Sequence, residues 1–201
     1  MRRFFDIVFS SGVLLIGSPI LLGITLAIRM TSKGNAVFKH NRVGQHGKIF
    51  SCYKFRTMYP DADQRLKSLL KEDPVLLSEW KKTHKLSNDP RIAGKVGKFL
   101  RRTSLDELPQ FWNVLKGDLS IVGPRPLTEE EIINRLGQKA PKILSVKPGL
   151  TGIWQTAGRG KAVTYQMRIQ MDEEYVEKQN FWLDLKLICK TIPCMILSRG
   201  L

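Results

Sequence analysis

From Ile7 to Ile28 the chain runs 22 residues without a charged side chain, and this stretch constrains its folding more than any other feature. At about 1.5 Å per residue, a straight helix of that length covers a hydrocarbon core about 30 Å thick. Ser18-Pro19 lies in its middle. A proline there removes an amide donor and its ring collides with the preceding turn, so the helix is expected to break or bend. Charge adds a second constraint. Arg2 and Arg3 precede the segment, and Arg29 to Met58 holds seven Lys or Arg and no acid, so both flanks favour the cytoplasmic side of a membrane. A hairpin that dips into the bilayer and returns satisfies both; a proline-kinked single span is the alternative. The carbonyls freed at the break need a partner at depth, and the Ser18 hydroxyl is available to provide one. No clear small-x-small cleavage site is present and Arg29 and Lys33 follow at once, which argues against a secretory leader.

The whole chain has 201 residues, enough for one domain with a real core or for a small domain plus a membrane segment. Its 33 Lys and Arg against 18 Asp and Glu give a formal charge of +15, so its partners should be anionic: nucleic acid, acidic lipid or phosphorylated substrates. Cys52, Cys189 and Cys194 are odd in number and lack Cys-x-x-Cys spacing, so neither a disulfide framework nor a zinc site is indicated.

After Arg29 the pattern turns strand-like. Ala36-Val37-Phe38, a Gly44-Gln45-His46-Gly47 turn and the stretch Lys48 to Phe55 read as a β-hairpin. Asp61 to Asp89 carries six acids and six bases in a helical pattern broken by Pro74, which reads as a solvated helical insertion over residues 60–90. Arg91, Lys95, Lys98 and Arg102 then recur at helical spacing, with Ile92, Val96, Phe99 and Leu100 as the apolar face. Such a helix can lie on an anionic bilayer, line an anion site, or present a plain solvated face. Near the end, over residues 180–200, Phe181, Leu185, Ile188, Ile192 and Met195 form one helical stripe with Trp182 beside it. This suits a helix packed on the core or one lying at an interface.

Three clusters can carry chemistry. In Ser104-Leu105-Asp106-Glu107-Leu108-Pro109-Gln110 two carboxylates sit side by side after the basic stripe. Ser104 with Glu107 also spells a capping box, which is ordinary helix-start chemistry. The same place suits a catalytic carboxylate whose pKa is expected to fall under nearby amides, Arg101 and Arg102, with a phosphate held against it. Gly123-Pro124-Arg125-Pro126 fixes an arginine between two prolines, which suits a diphosphate clamp or a surface loop with a charged tip. In Lys147 to Gly160, Pro148 and four glycines allow tight turns and close approach of a ligand to backbone amides. The segment is neither a P-loop nor a dinucleotide fingerprint.

Taken in order, these segments resemble one family, the bacterial sugar transferases that act as monotopic phosphoglycosyl transferases on polyprenyl phosphate. The resemblance is carried by the Ser18-Pro19 break, Tyr53 to Met58, SLDELPQ with Asn113 to Asp118, GPRP, and PGLTG with Gln155 and Gly158-Arg159, and it spans nearly the whole chain. It implies an α/β, mostly helical, small monotopic membrane enzyme. In it a re-entrant helix-break-helix over residues 1–32 precedes a cytoplasmic catalytic domain over 33–201, on the bacterial inner membrane. It also implies that Asp106 attacks the β-phosphate of a UDP-sugar and releases UMP. Polyprenyl (undecaprenyl) phosphate then collects the phosphosugar, in the first membrane step of surface polysaccharide synthesis. Asp106 and Glu107 would hold Mg²⁺, with Glu107 handling metal or proton. Lys54, Arg56, Arg102, Arg125, Gln155 and Arg159 would contact substrate or its phosphates. No nucleic-acid partner is implied, and a homodimer is left open. The resemblance further implies a minimal catalytic form without the extra amino-terminal membrane bundle of larger relatives. The Asp61 to Asp89 stretch points to the hexose-using branch, hence glucose or galactose. A basic module tethered to a membrane, binding nucleic acid or acidic lipid without catalysis, is the competing class.

Overall fold

The computed structural model describes residues 1–83, 86, 89–157 and 164–197. Among these the chain is mostly helical, with two short two-stranded sheets. Helix α1 (Arg2–Ile16) meets α2 (Ser18–Thr31) at Gly17 with a bend of 60°. No single described helix is long and apolar enough to cross a membrane; the bent pair passes that test only jointly. The break is built as its residues dictate. Pro19 falls in the first turn of α2, where its missing amide costs nothing, and Ser18 Oγ donates to the Leu15 carbonyl at 2.8 Å.

Arg2 and Arg3 do more than flank an apolar segment. Arg3 donates to the Val114 and Leu115 carbonyls in the last turn of helix α6 (Gln110–Lys116). Arg2 pairs with Asp184 at 3.0 Å. Buried Asp6 accepts from Ser120 Oγ at 2.9 Å and from the Ile121 amide at 3.1 Å. The amino-terminal half of α1 is therefore pinned onto the body of the protein, while the far end of α2 packs onto it through Ile28.

Strands β1 (Val37–Val43) and β2 (Ile49–Phe55) form the expected antiparallel hairpin, turning through a 3₁₀ turn at Gln45–Gly47. The insertion folds as α3 (Ala62–Glu72) and α4 (Pro74–Thr83). Pro74 opens the second helix, and Asp73 Oδ1 accepts from the amides of Val75 and Leu76. Helix α5 is Gly94–Thr103 and α6 is Gln110–Lys116. Strand β3 (Ser120–Val122) pairs in parallel with β4 (Gly149–Thr151) across α7 (Glu129–Glu131) and α8 (Ala140–Ile143). Helices α9 (Ile153–Ala157), α10 (Tyr165–Lys178) and α11 (Phe181–Leu197) complete the chain.

Two stripes read from the sequence change here. Arg91 is not on the α5 surface: it precedes the helix, is buried, and pairs bidentately with Asp89 at 2.8 and 2.6 Å. A buried guanidinium needs such a partner, and Asp89 lies just outside the acid-free window that defined the stripe. Phe99, assigned to the apolar face, is exposed, whereas Val96 and Leu100 pack against Ile28, Ala36 and Phe55. In α11 the buried positions are Asp184 and Leu187, one step round from the expected stripe, because Asp184 is neutralised by Arg2 and accepts from Tyr175 Oη at 2.8 Å. The side chains of Ile192 and Met195 lie outside the described residues.

Candidate active site

The carboxylate pair lies in a 3₁₀ turn, Leu105–Glu107, between α5 and α6. Ser104 joins α5 to it in the left-handed region, at φ 56°, a conformation that costs a non-glycine residue free energy and persists only when the surroundings impose it. With near three-residue periodicity, Leu105 and Leu108 fall on one side of the turn and pack against the buried cluster of Ile28, Ala36, Phe55 and Leu100. Asp106 and Glu107 are left on another. The capping box does not form, since Ser104 makes no side-chain cap bond; Glu107 instead accepts from Lys54 Nζ of β2 at 2.7 Å. Strand and turn are held together by Asn113, fully buried on α6. Its Nδ2 donates to the Ser51 carbonyl at 2.7 Å and its Oδ1 accepts from the Tyr53 amide at 3.0 Å, as a further strand would.

Asp106 is partly buried, and its pKa moves against expectation. Burial, then the neighbouring Glu107 charge, push it up to about 6, outweighing Lys54, Arg101 and a backbone bond. A single 3₁₀ turn offers little of the dipole that a long helix start would, so desolvation wins. Arg101 is the arginine whose charge reaches Asp106; Arg102 is exposed beside it. Arg56, expected at a phosphate, donates to the carbonyl and hydroxyl of Ser32 at 3.0 Å each and so ties β2 to the end of α2.

A second bay lies at the other end of the hairpin. Arg125 and Arg168 stand 5.8 and 4.6 Å from the Trp154 ring centre, and Arg135 4.5 Å from that of Tyr165. Asp172, buried on α10, accepts from the Arg125 backbone amide, and burial pushes its pKa up to about 7 against the pull of Arg125 and Arg168. Leu127, Leu136, Ile143 and Ile169 wall this bay. Arg42 reaches its rim, donating to Glu131 at 3.1 Å.

Lys54 and Phe50 share one face of β2, and Phe50 faces Arg42 across the hairpin. Four residues of strand set the two ends about 13 Å apart. Cys52 lies between, feeling Lys54, Arg42, Glu107 and Arg125, but burial pushes its thiol up and keeps it a core group rather than a nucleophile.

Gly149 and Gly152 of the third cluster serve a close approach within the protein. A Cβ on Gly149 would come within 2.0 Å of the Gly123 nitrogen, and one on Gly152 within 2.5 Å of the Gly123 oxygen. They let the Pro148 to Gly152 backbone lie against GPRP and fix Arg125 beside Trp154. Gln155 follows on α9, its Oε1 buried without a hydrogen-bond partner among the described residues. Arg159, with Gly158 and Gly160, lies outside the described residues. The sequence reading missed Arg42, Tyr165, Arg168 and Asp172. Tyr165, Arg168 and Asp172 stand at helical spacing i, i+3, i+7, so a polar stripe on α10 was the available signal.

Residues 1–198 match the family model described as bacterial sugar transferase. The chain belongs to that family. It is 46% identical over 201 residues to the undecaprenyl-phosphate galactose phosphotransferase of Salmonella typhimurium, covering all of this chain and 41% of that protein. It is 41% identical over 199 residues to the exopolysaccharide production protein ExoY of Rhizobium meliloti, covering 99% of this chain and 87% of that protein. With the UDP-glucose:undecaprenyl-phosphate glucose-1-phosphate transferase of Escherichia coli the identity is 39% over 198 residues, or 96% of this chain and 39% of the relative. The chain thus spans about two fifths of the length of the Salmonella and Escherichia proteins.

Proposed function

We propose that this chain transfers a hexose 1-phosphate, glucose or galactose, from a UDP-sugar to polyprenyl phosphate through a phosphosugar on Asp106. The observation that carries the reading is the position of the dyad turn. Leu105 and Leu108 of the turn and Leu21 and Ile24 of α2 pack against one buried cluster, Ile28, Ala36, Phe55 and Leu100, so the carboxylates share a core with the helix pair proposed to enter the membrane. A nucleophile placed there meets a lipid-bound acceptor at the bilayer surface. Both ends of the pair are docked on one body, α1 through Arg3 and Asp6 and α2 through Ile28, which favours a re-entrant hairpin over a span. The bend itself is apolar and exposed, Ile16 to 84%, and Phe99, Trp112 and Trp182 are exposed rings suited to headgroup depth.

In the first step an Asp106 carboxylate oxygen bonds to the β-phosphorus, and the bond from that phosphorus to the bridging oxygen breaks, releasing UMP. In the second, a polyprenyl phosphate oxygen bonds to the same phosphorus and the Asp106 carboxylate leaves. Splitting the transfer this way lets two bulky anions use one centre in turn. Mg²⁺ fits the residues present: two adjacent carboxylates, with Asp106 raised by burial and then by Glu107, are a pair that a cation stabilises, and Mg²⁺ is commonly held by one or two carboxylates plus substrate phosphates. When bound, it would screen the charge between carboxylate and diphosphate. Lys54 holds Glu107 in place, and Arg101 biases the approach of the diphosphate. The test is UMP release by the purified protein in detergent with Mg²⁺, polyprenyl phosphate and a panel of UDP-hexoses. Release from at least one donor is expected, and none across the panel would overturn the reading.

A further inference from the structure

Helix α5 keeps its two faces apart. Leu100 lies in the buried cluster with Ile28, Ala36 and Phe55, and Val96 packs against that cluster. Lys95, Lys98, Phe99 and Arg102 stand at i, i+3, i+4 and i+7, so they share the opposite face, and all four are exposed. The apolar side of α5 is therefore taken up by the protein, and only its cationic side is left for a partner. That side adjoins the end of α2. A Cβ on Gly94 would lie 3.7 Å from Thr31 Cγ2, and Ile28 of the shared cluster falls within the last turn of α2. On α2 itself, Leu22, Leu26 and Met30 run along one exposed face, and Arg29 and Lys33 are exposed where the helix ends. Arg29, Lys33, Lys95, Lys98 and Arg102 make no ion pair among the described residues. Nor does the chain hold an acid between Asp6 and Asp61, or between Asp89 and Asp106.

We infer that the end of α2 and the outer face of α5 form one docking surface for anionic phospholipid headgroups, with Arg29, Lys33, Lys95 and Lys98 on their phosphates. The inference rests on the proposal that the helix pair enters the membrane. With Leu22 and Leu26 in hydrocarbon, the last turn of α2 comes to the depth of the headgroups, and α5, beside that turn, comes with it. Exposed Phe99 suits the same depth. The occupied apolar side decides how α5 engages: it cannot sink that side into the bilayer as a free amphipathic helix does, so the contact is electrostatic. Nucleic acid is the poorer match, because Arg29 adjoins exposed Leu26 and Met30, which a bilayer covers and a duplex leaves in water. A cation close to an anionic leaflet gains about fivefold in partitioning, while charges more than about 10 Å away are screened at about 0.1 M salt. Position, rather than the net charge of +15, then governs the preference.

The experiment dilutes the full chain out of detergent onto phosphatidylcholine vesicles, or onto vesicles in which phosphatidylglycerol replaces part of that lipid, and reads capture by flotation. One variant combines Arg29→Gln, Lys95→Gln and Lys98→Gln and leaves Arg102, beside the dyad, intact. A control of equal charge combines Lys48→Gln, Lys139→Gln and Lys142→Gln. These lie toward the turn of the hairpin, which is about 20 Å along the strands from the Phe55 end and is tied to α8 through Gln45 and Ser145. Wild type is expected to prefer anionic vesicles by about thirtyfold or more, and the first variant to lose about tenfold or more of that preference. Its melting temperature and its capture by neutral vesicles should not change, and the control should lose no more than about threefold. No preference in wild type, or an equal loss in both variants, overturns the inference. So does oligonucleotide binding in detergent that only the first variant abolishes, which would assign the surface to nucleic acid. A raised KM for polyprenyl phosphate in neutral vesicles, confined to the first variant, also overturns it, by assigning the cations to the acceptor. Capture of wild type by both vesicles alike removes only this inference; capture by neither removes the proposed membrane placement as well.

Discussion

Asp106 and Asp172 are both carboxylates pushed up by burial, to about 6 and about 7, yet their surroundings differ in kind. Asp106 sits in a one-turn helix behind a left-handed serine, beside a second carboxylate, against residues that also pack on the bent helix pair. Asp172 sits mid-helix on α10, fixed by a backbone amide and flanked by two arginines, in a bay walled by aliphatic side chains. The first arrangement presents a carboxylate to a reacting atom. The second ties a carboxylate into the interior, where a backbone amide and two arginines face it. Similar shifts, with desolvation the largest cause in each, thus accompany two different settings, and the neighbours rather than the shift tell them apart.

The largest effect expected from this contrast is kinetic. Asp106→Asn should lower kcat by about 10³-fold or more, because the attacking oxygen is lost, and leave UMP affinity near wild type. Asp172→Asn, on α10 and away from the dyad, should instead change kcat little. Steady-state kinetics on the two variants checks the split, and a matching loss of kcat in both would dissolve the distinction.

Next in size is the backbone contact beneath the second bay. With a Cβ 2.0 Å from the Gly123 nitrogen, Gly149→Ala must part β3 from β4 and should cost about 3 kcal/mol or more, seen as a lower melting temperature. A variant as stable as wild type would mean that the parallel pair does not pack as described.

A smaller effect separates the two carboxylates by pH. Asp172 has a folded pKa of about 7, above its unfolded value of 3.8, so the fold prefers it protonated. Its stabilising contribution is present below the unfolded value and is lost as pH rises through about 7. Asp172→Asn should therefore match wild type in stability near pH 4 and exceed it by about 1–3 kcal/mol at pH 8, a gain reduced because Arg125 and Arg168 lose a countercharge. Thermal melts across that range measure it, and a constant difference at every pH would contradict the burial.

The smallest concerns the anchoring of the helix pair. Asp6→Asn keeps the shape but weakens the bonds from Ser120 and Ile121, and should cost about 1–2 kcal/mol without touching UMP affinity. Loss of UMP binding would show that the two regions are coupled through β3.

Much of the first region was legible in the sequence because its signals are local. The Ser18-Pro19 break, the serine hydroxyl that repairs it, the hairpin and the proline that opens α4 each follow from a few adjacent residues. The direction of the Asp106 shift was not, because it depends on how deeply tertiary packing sinks the turn. At Gly149 and Gly152 the expected close approach is made by the Gly123 strand end, which lies far off in the sequence. The second bay was largely invisible. Arg125 was found, yet the residues that give it meaning come from α9 and α10, and nothing local says that Asp172 lies under its amide. Arg91 and Asp184 show the converse, charged residues that break an otherwise regular stripe because each finds a buried partner.

The most direct test of the account traps the protein with a reactive UDP-hexose and Mg²⁺, without polyprenyl phosphate, digests it, and locates any added mass by peptide sequencing. The account predicts one hexose phosphate on the peptide containing Asp106, absent from Asp106→Asn and discharged when polyprenyl phosphate is added. An adduct on another residue, or UMP release that needs donor and acceptor together and leaves no adduct, would contradict it.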